Sequence, residues 1–86
     1  MTHPAVTVYS KKPCVQCDAT FRSLDKKDVT YTVVDIGTDT TALNYVRSLG
    51  HMQAPVVVVE TGTEPVHWSG FNPHLINFHF GESQVA

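Results

Sequence analysis

The stretch Ala5-Val6-Thr7-Val8-Tyr9-Ser10-Lys11-Lys12-Pro13-Cys14-Val15-Gln16-Cys17 opens on alternating β-formers, breaks at Ser10 to Pro13, and restarts on two cysteines. Val6 and Val8 share one face of an extended segment, which makes Ala5 to Tyr9 a first strand. From Cys14 the residues Cys17, Phe21 and Leu24 recur at helical spacing, predicting a helix that runs to Lys27-Asp28. The cysteine pair therefore falls on a strand-to-helix junction. Val29 to Ile36 is again β-rich, so strand, helix and strand form a crossover whose two strands are parallel and whose hand is right.

Downstream, Gly37-Thr38-Asp39 supplies turn and cap residues for a second helix carrying Leu43, Val46 and Leu49, and Gly50 is placed to stop it. Val56 to Glu60 is an apolar strand. Thr61-Gly62-Thr63 turns it into Pro65 to Ser69, an antiparallel neighbour. Asn72 and Pro73 read as N-cap and first residue of a last helix with Leu75, Ile76 and Phe80 inward. The order β-α-β-α-β-β-α gives an α/β fold, a four-stranded mixed sheet flanked by three helices.

The chain has 86 residues, which is room for a single domain over 1–86, with residues 81–86 read as a frayed tail. Its apolar share is 42% and its formal net charge −2, which argues against a general polyanion binder and predicts no nucleic-acid partner. No run approaches the ~20 apolar residues of a membrane span, so no membrane role is expected. Met1 to Ala5 lacks the pattern of a secretory signal, and the expectation is a cytoplasmic protein.

Two cysteines spaced C-x-x-C do not make a structural disulfide framework; in a reducing compartment they point to redox catalysis or to a metal. At a helix start, unpaired N–H groups and the positive dipole end favour a thiolate on Cys14, to which Lys11 and Lys12 add. Cys17, one turn further in, is then the resolving thiol. Two other readings compete with this one. One is a pair of inert buried cysteines. The other is zinc held with His74 and His79, although positions five apart on a helix diverge and the gap from Cys17 is long.

Ala54-Pro55 precedes an apolar strand, where the proline is either a plain strand start or a cis residue presenting Ala54 as an edge for an extended substrate. Trp68-Ser69-Gly70-Phe71 either closes the core or forms a contact for a protein partner. Thr20 and Asp35 allow purely structural roles.

Taken together, Cys14-Val15-Gln16-Cys17 with Ala19-Thr20 and Arg22-Ser23-Leu24, the Gln53-Ala54-Pro55-Val56 turn, and Trp68-Ser69-Gly70-Phe71 with Pro73 resemble the NrdH-redoxin family over about Ala5 to Phe80. Ordinary glutaredoxins usually carry C-P-Y-C and a Gly-Gly turn with a nearby Asp that holds glutathione, and this chain has neither. The chain departs from the family pattern at Phe21, where a basic residue is common, and at Asn72 and His74, where Arg and Asp often stand.

The resemblance implies a thioredoxin fold, a cis bond at Pro55, and a monomeric dithiol electron carrier with no bound cofactor or metal. NADPH-dependent thioredoxin reductase would reduce it, and it would pass electrons to the large subunit of class Ib ribonucleotide reductase. The residues expected to meet partners or substrate are Lys12, Val15, Gln16, Ala54, Pro55, Trp68, Ser69, Gly70 and Phe71, around the catalytic Cys14 and Cys17. The alternatives carried forward are a glutathione-dependent glutaredoxin and a non-catalytic or metal-holding binding module on the same fold.

Overall fold

The computed structural model describes residues 5–81. The expected tail beyond Gly81 lies outside the described residues. The elements run β1 (Ala5–Ser10), α1 (Val15–Lys26), β2 (Thr32–Asp35), α2 (Thr40–Ser48), β3 (Val56–Glu60), β4 (Val66–Ser69) and α3 (Pro73–Phe80), in the order expected from the sequence. The sheet order is β2-β1-β3-β4. β1 pairs parallel with β2, Val8 opposite Val33, and antiparallel with β3, Val8 opposite Val57. β3 pairs antiparallel with β4.

The four consecutive valines of β3 are explained by its position between β1 and β4. Val57 and Val59 pack with Val6, Val8, Leu24, Trp68 and Ile76 under α1 and α3, whereas Val56 and Val58 pack with Val46 under α2. A strand covered on both faces needs apolar side chains on both, so its sequence reads as a run instead of an alternation.

Local chemistry ends each helix where the sequence predicts. The Asp39 carboxylate accepts from the Ala42 N–H at 2.9 Å, and the Asn72 side-chain oxygen accepts from the Leu75 N–H at 3.0 Å, so both act as N-caps. Gly50 takes φ 95° beyond α2, a conformation open to glycine at little cost. Asp28 adopts φ 58° as α1 ends.

Two strands are shorter than predicted, β4 by Pro65 and β2 at both ends. β2 begins at Thr32, not Val29, because residues 29–31 are held by α1 instead of the sheet. The Val29 N–H donates to Leu24 O at 3.1 Å, and the Tyr31 hydroxyl donates to Asp25 at 2.9 Å. The Tyr31 ring stacks on Phe21 with centroids 5.7 Å apart. Burial and the Asp25 carboxylate push the Tyr31 hydroxyl up to about 12.

Candidate active site

β1 and β2 run side by side in the same direction, with Ser10 opposite Asp35, and the cysteine loop leaves the carboxyl end of β1. That end is where α/β sheets place their ligands. Cys14 is the N-cap of α1: its backbone is extended, and its Sγ accepts from the Cys17 N–H at 3.0 Å. The Asp18 N–H donates to Cys14 O at 3.2 Å. Two helix-start donors are thus engaged by Cys14 itself, one of them on the sulfur.

Cys14 and Cys17 are joined in a disulfide with Cα atoms 5.2 Å apart. Cys17 is 1% exposed, while Cys14 is half-buried at the surface. That asymmetry separates an approachable sulfur from a sheltered one. A cleft of about 540 Å³ lies along the pair, lined by Lys12, Pro13, both cysteines, Asp18, Phe21 and Val33 among others, room for a few side chains of a polypeptide.

The three segments singled out in the sequence meet beside this cleft. The Gln16 carboxamide oxygen accepts from the Phe71 N–H at 2.8 Å, tying the C-x-x-C loop to the end of β4. Pro55 O accepts from the Gly70 N–H at 2.8 Å, tying the Ala54-Pro55 turn to the same place. Thr20, fully buried on α1, donates to Gln16 O at 2.9 Å within the first turns of the helix.

Gly70 has φ 81°, and a Cβ on it would stand 3.1 Å from the Gln16 oxygen and 3.8 Å from the Gln53 side-chain nitrogen. Gly70→Ala is therefore expected to cost about 1–2 kcal/mol, from the left-handed backbone and the displaced carboxamide together. Denaturant unfolding measures that loss, and faster hydrogen exchange at the Phe71 amide marks the broken bond.

The expected contact residues divide by exposure. Lys12, Val15 and Gln16 are exposed, with Val15 the most open at 82%. Ala54 and Pro55 are buried, and the Ala54-Pro55 peptide is cis, as is Lys12-Pro13, which no pattern in the chain singled out. Trp68 is 5% exposed within the α1–α3 core and stacks on His79, while Phe71 is exposed. Of the two readings of this segment, Trp68 takes core closure and Phe71 takes the surface. Ser69 is half-buried and Gly70 buried.

Phe21, noted in the sequence only as an inward helix position and a departure, lines the cysteine cleft. Its place four residues after Cys17 on one helix face was the signal available for that role. No group of three or more His, Cys, Asp or Glu side chains able to hold a metal occurs among the described residues. His74 is exposed and His79 lies against Trp68. No helix among the described residues is long and apolar enough to cross a membrane.

A four-stranded mixed sheet flanked by three helices, with a C-x-x-C disulfide at a helix start, defines a thiol–disulfide oxidoreductase of the thioredoxin fold. The family model for glutaredoxin matches residues 6–62. NrdH of Escherichia coli (strain K12), a glutaredoxin-like protein, is 32% identical over 72 residues, 84% of each chain. The same protein of Salmonella typhimurium (strain LT2) is 33% identical over 73 residues, 85% of each.

The solved NrdH-redoxin of Escherichia coli, described as a glutaredoxin-like protein with a thioredoxin-like activity profile, superposes with a TM-score of 0.76 at 32% identity, covering 86% of this chain and 92% of that one. A thioredoxin from Trypanosoma brucei brucei shares the fold, with a TM-score of 0.68 at 18% identity over 90% of this chain and 71% of that one. The chain belongs to the glutaredoxin family, among its NrdH-redoxins.

Proposed function

We propose that this protein is a dithiol electron carrier reduced by thioredoxin reductase with electrons from NADPH, donating in the cytoplasm to the large subunit of class Ib ribonucleotide reductase. Cys14 is the nucleophile. Its thiolate attacks one sulfur of the acceptor's disulfide, a Cys14–acceptor bond forms, and the other acceptor sulfur leaves as a thiolate. Cys17 then loses its proton and attacks the Cys14 sulfur. The second acceptor thiolate leaves, the Cys14–Cys17 disulfide remains, and two electrons have passed to the acceptor, whose thiolates take up the Cys17 proton and one from solvent.

One observation carries the choice of partner: the backbone donors of the Gly70-Phe71 turn beside the disulfide are already used within the protein. Gly70 N–H is bonded to Pro55 O, and Phe71 N–H to the Gln16 side chain. A turn with no free N–H has little to offer the carboxylate of an anionic tripeptide, because each donor would first have to give up its partner. The open surface around the cysteines instead carries two exposed apolar side chains, Val15 and Phe71, which suit a protein partner. Lys12, Val15, Gln16 and Phe71 form that contact. Ala54 and Pro55 shape it from beneath, with Ser69 and Gly70 holding the turn and Trp68 supporting it from the core.

A second reading, a glutathione-dependent glutaredoxin, is favoured by a cavity of about 260 Å³ that carries Lys11 and Arg47 beside Gln53 and Ala54. A coupled assay separates the two. NADPH oxidation with purified thioredoxin reductase and a disulfide acceptor is expected to be at least about tenfold faster than with glutathione and glutathione reductase, a gap of one such hydrogen bond or more. The opposite ranking overturns the proposal.

A further inference from the structure

His51 and His67 are absent from the chemistry above, yet they touch each other and adjoin the two segments that close the site. His51 stands two residues before Gln53 in the turn after α2, and His67 directly precedes Trp68 on β4. The His51 Nε2 and His67 Nδ1 atoms are 2.7 Å apart, with the rings edge to face at 81° and centroids 4.9 Å apart. His51 is anchored through its N–H to Val46 O at 3.2 Å, and His67 lies opposite Val58 in the sheet. The pair therefore links the α2–β3 turn to the edge strand on the side covered by α2.

We infer that His51 and His67 are positioning residues, a clip that holds the Gln53-Ala54-Pro55 turn against the Trp68-to-Phe71 segment and is released when both rings are protonated. It acts on the oxidoreductase reaction itself and does not depend on which reductase or acceptor the carrier serves.

The chemistry of the bond sets the behaviour. One ring must donate an N–H and the other accept with a bare nitrogen. A first proton leaves that arrangement possible. A second removes the acceptor and sets two cations edge to edge, so the bond becomes a repulsion. Burial, with the His67 ring as a second cause, pushes the His51 imidazole below its ordinary value. A group depressed in the folded state stabilises the fold above its unfolded value of 6.5 and loses that contribution as the pH falls through the folded value. Release thus belongs to the acid side of 6.5.

The other charged or titratable groups on this side are Tyr9 on β1, Asp39, Tyr45 and Arg47 on α2 and its cap, Glu60 on β3, and Lys11 at the cavity mouth. Lys11 and Arg47 line the same cavity as His51. An acid effect arising at Asp39 or Glu60 survives removal of His67, whereas one arising in the clip does not.

The test compares two acceptors for the reduced protein between about pH 5 and pH 7.5, the range in which histidine pairs titrate. One is a cyclic peptide disulfide without titratable side chains, and the other is bis(2-hydroxyethyl) disulfide. Their rate ratio cancels the thiolate fraction of Cys14 and keeps the contribution of the site walls. In the natural protein the peptide-to-small-disulfide ratio is expected to fall about fivefold on acidification, the effect of one part-buried hydrogen bond.

In His67→Phe the ratio is expected to stay level. A ratio that is flat in the natural protein, or that falls equally in the variant, overturns the inference. A measurement on the unaltered chain guards against a variant that does not fold. The backbone amide signals of Gly70 and Phe71 are expected to shift with the same midpoint as the His51 ring, and amides that stay fixed through that midpoint refute the clip.

Discussion

Cys17→Ser is expected to yield a protein that attacks one disulfide and then stops, accumulating a stable mixed disulfide between Cys14 and its acceptor that is visible by mass. Cys14→Ser is expected to form no such adduct and to lose at least about three orders of magnitude in disulfide reduction. The difference follows from position. Cys14 is at the surface end of the pair, with the Cys17 N–H directed at its sulfur, a donor that favours the thiolate over the thiol.

Cys17 is 1% exposed and out of reach of a bulky acceptor, but it sits across a single helical turn from Cys14. It can attack only the sulfur beside it. Should Cys14→Ser retain turnover, or should Cys17→Ser release its acceptor at the natural rate, the assignment of roles is reversed or void.

Ile76→Ala is expected to cost about 2–4 kcal/mol, with a fall in Tm on the order of 10–20 °C. α3 buries a single residue, Ile76, which is wholly enclosed among Leu24, Val57, Val59 and Trp68. Truncating it leaves the helix with half-buried Leu75 and Phe80 as its remaining apolar contacts.

Phe78→Ala on the same helix is the control. Its ring is 76% exposed, and a change within about 0.5 kcal/mol is expected. Thermal unfolding followed by circular dichroism measures both. Because Asn72 caps α3 immediately after Phe71, Ile76→Ala is further expected to raise hydrogen exchange at Phe71, while Phe78→Ala leaves it unchanged.

Much of the architecture was legible in the chain because local signals agreed. Strand periodicity placed β1, Asp39 and Asn72 placed helix starts, Gly50 placed a helix stop, and the apolar run Val56 to Val59 placed the doubly covered strand. The excess length assigned to β2 had a physical cause. Val29 and Tyr31 have the side chains of a strand, but a bond to Leu24 and the stack on Phe21 draw them to α1, and such tertiary contacts leave no trace in propensity.

The cysteines were legible from spacing alone, and their neighbours less so. A sequence cannot reveal that a glutamine and a phenylalanine 55 residues apart share a hydrogen bond. Nor can it say that Trp68 turns inward while Phe71, three residues on, turns out. The His51–His67 pair was equally hidden, since its members come from a turn and from the far edge strand.

The Gln16–Phe71 bond also bears on how the protein is made. During synthesis both cysteines emerge while the segment that flanks them in the finished fold is still 55 residues behind. For that interval the chain holds a reactive pair without the Phe71 N–H that engages the neighbouring Gln16 side chain. The Gln16 carboxamide is therefore fixed only once β4 is complete, so a chain halted before Phe71 should carry the cysteine pair with that side chain unanchored.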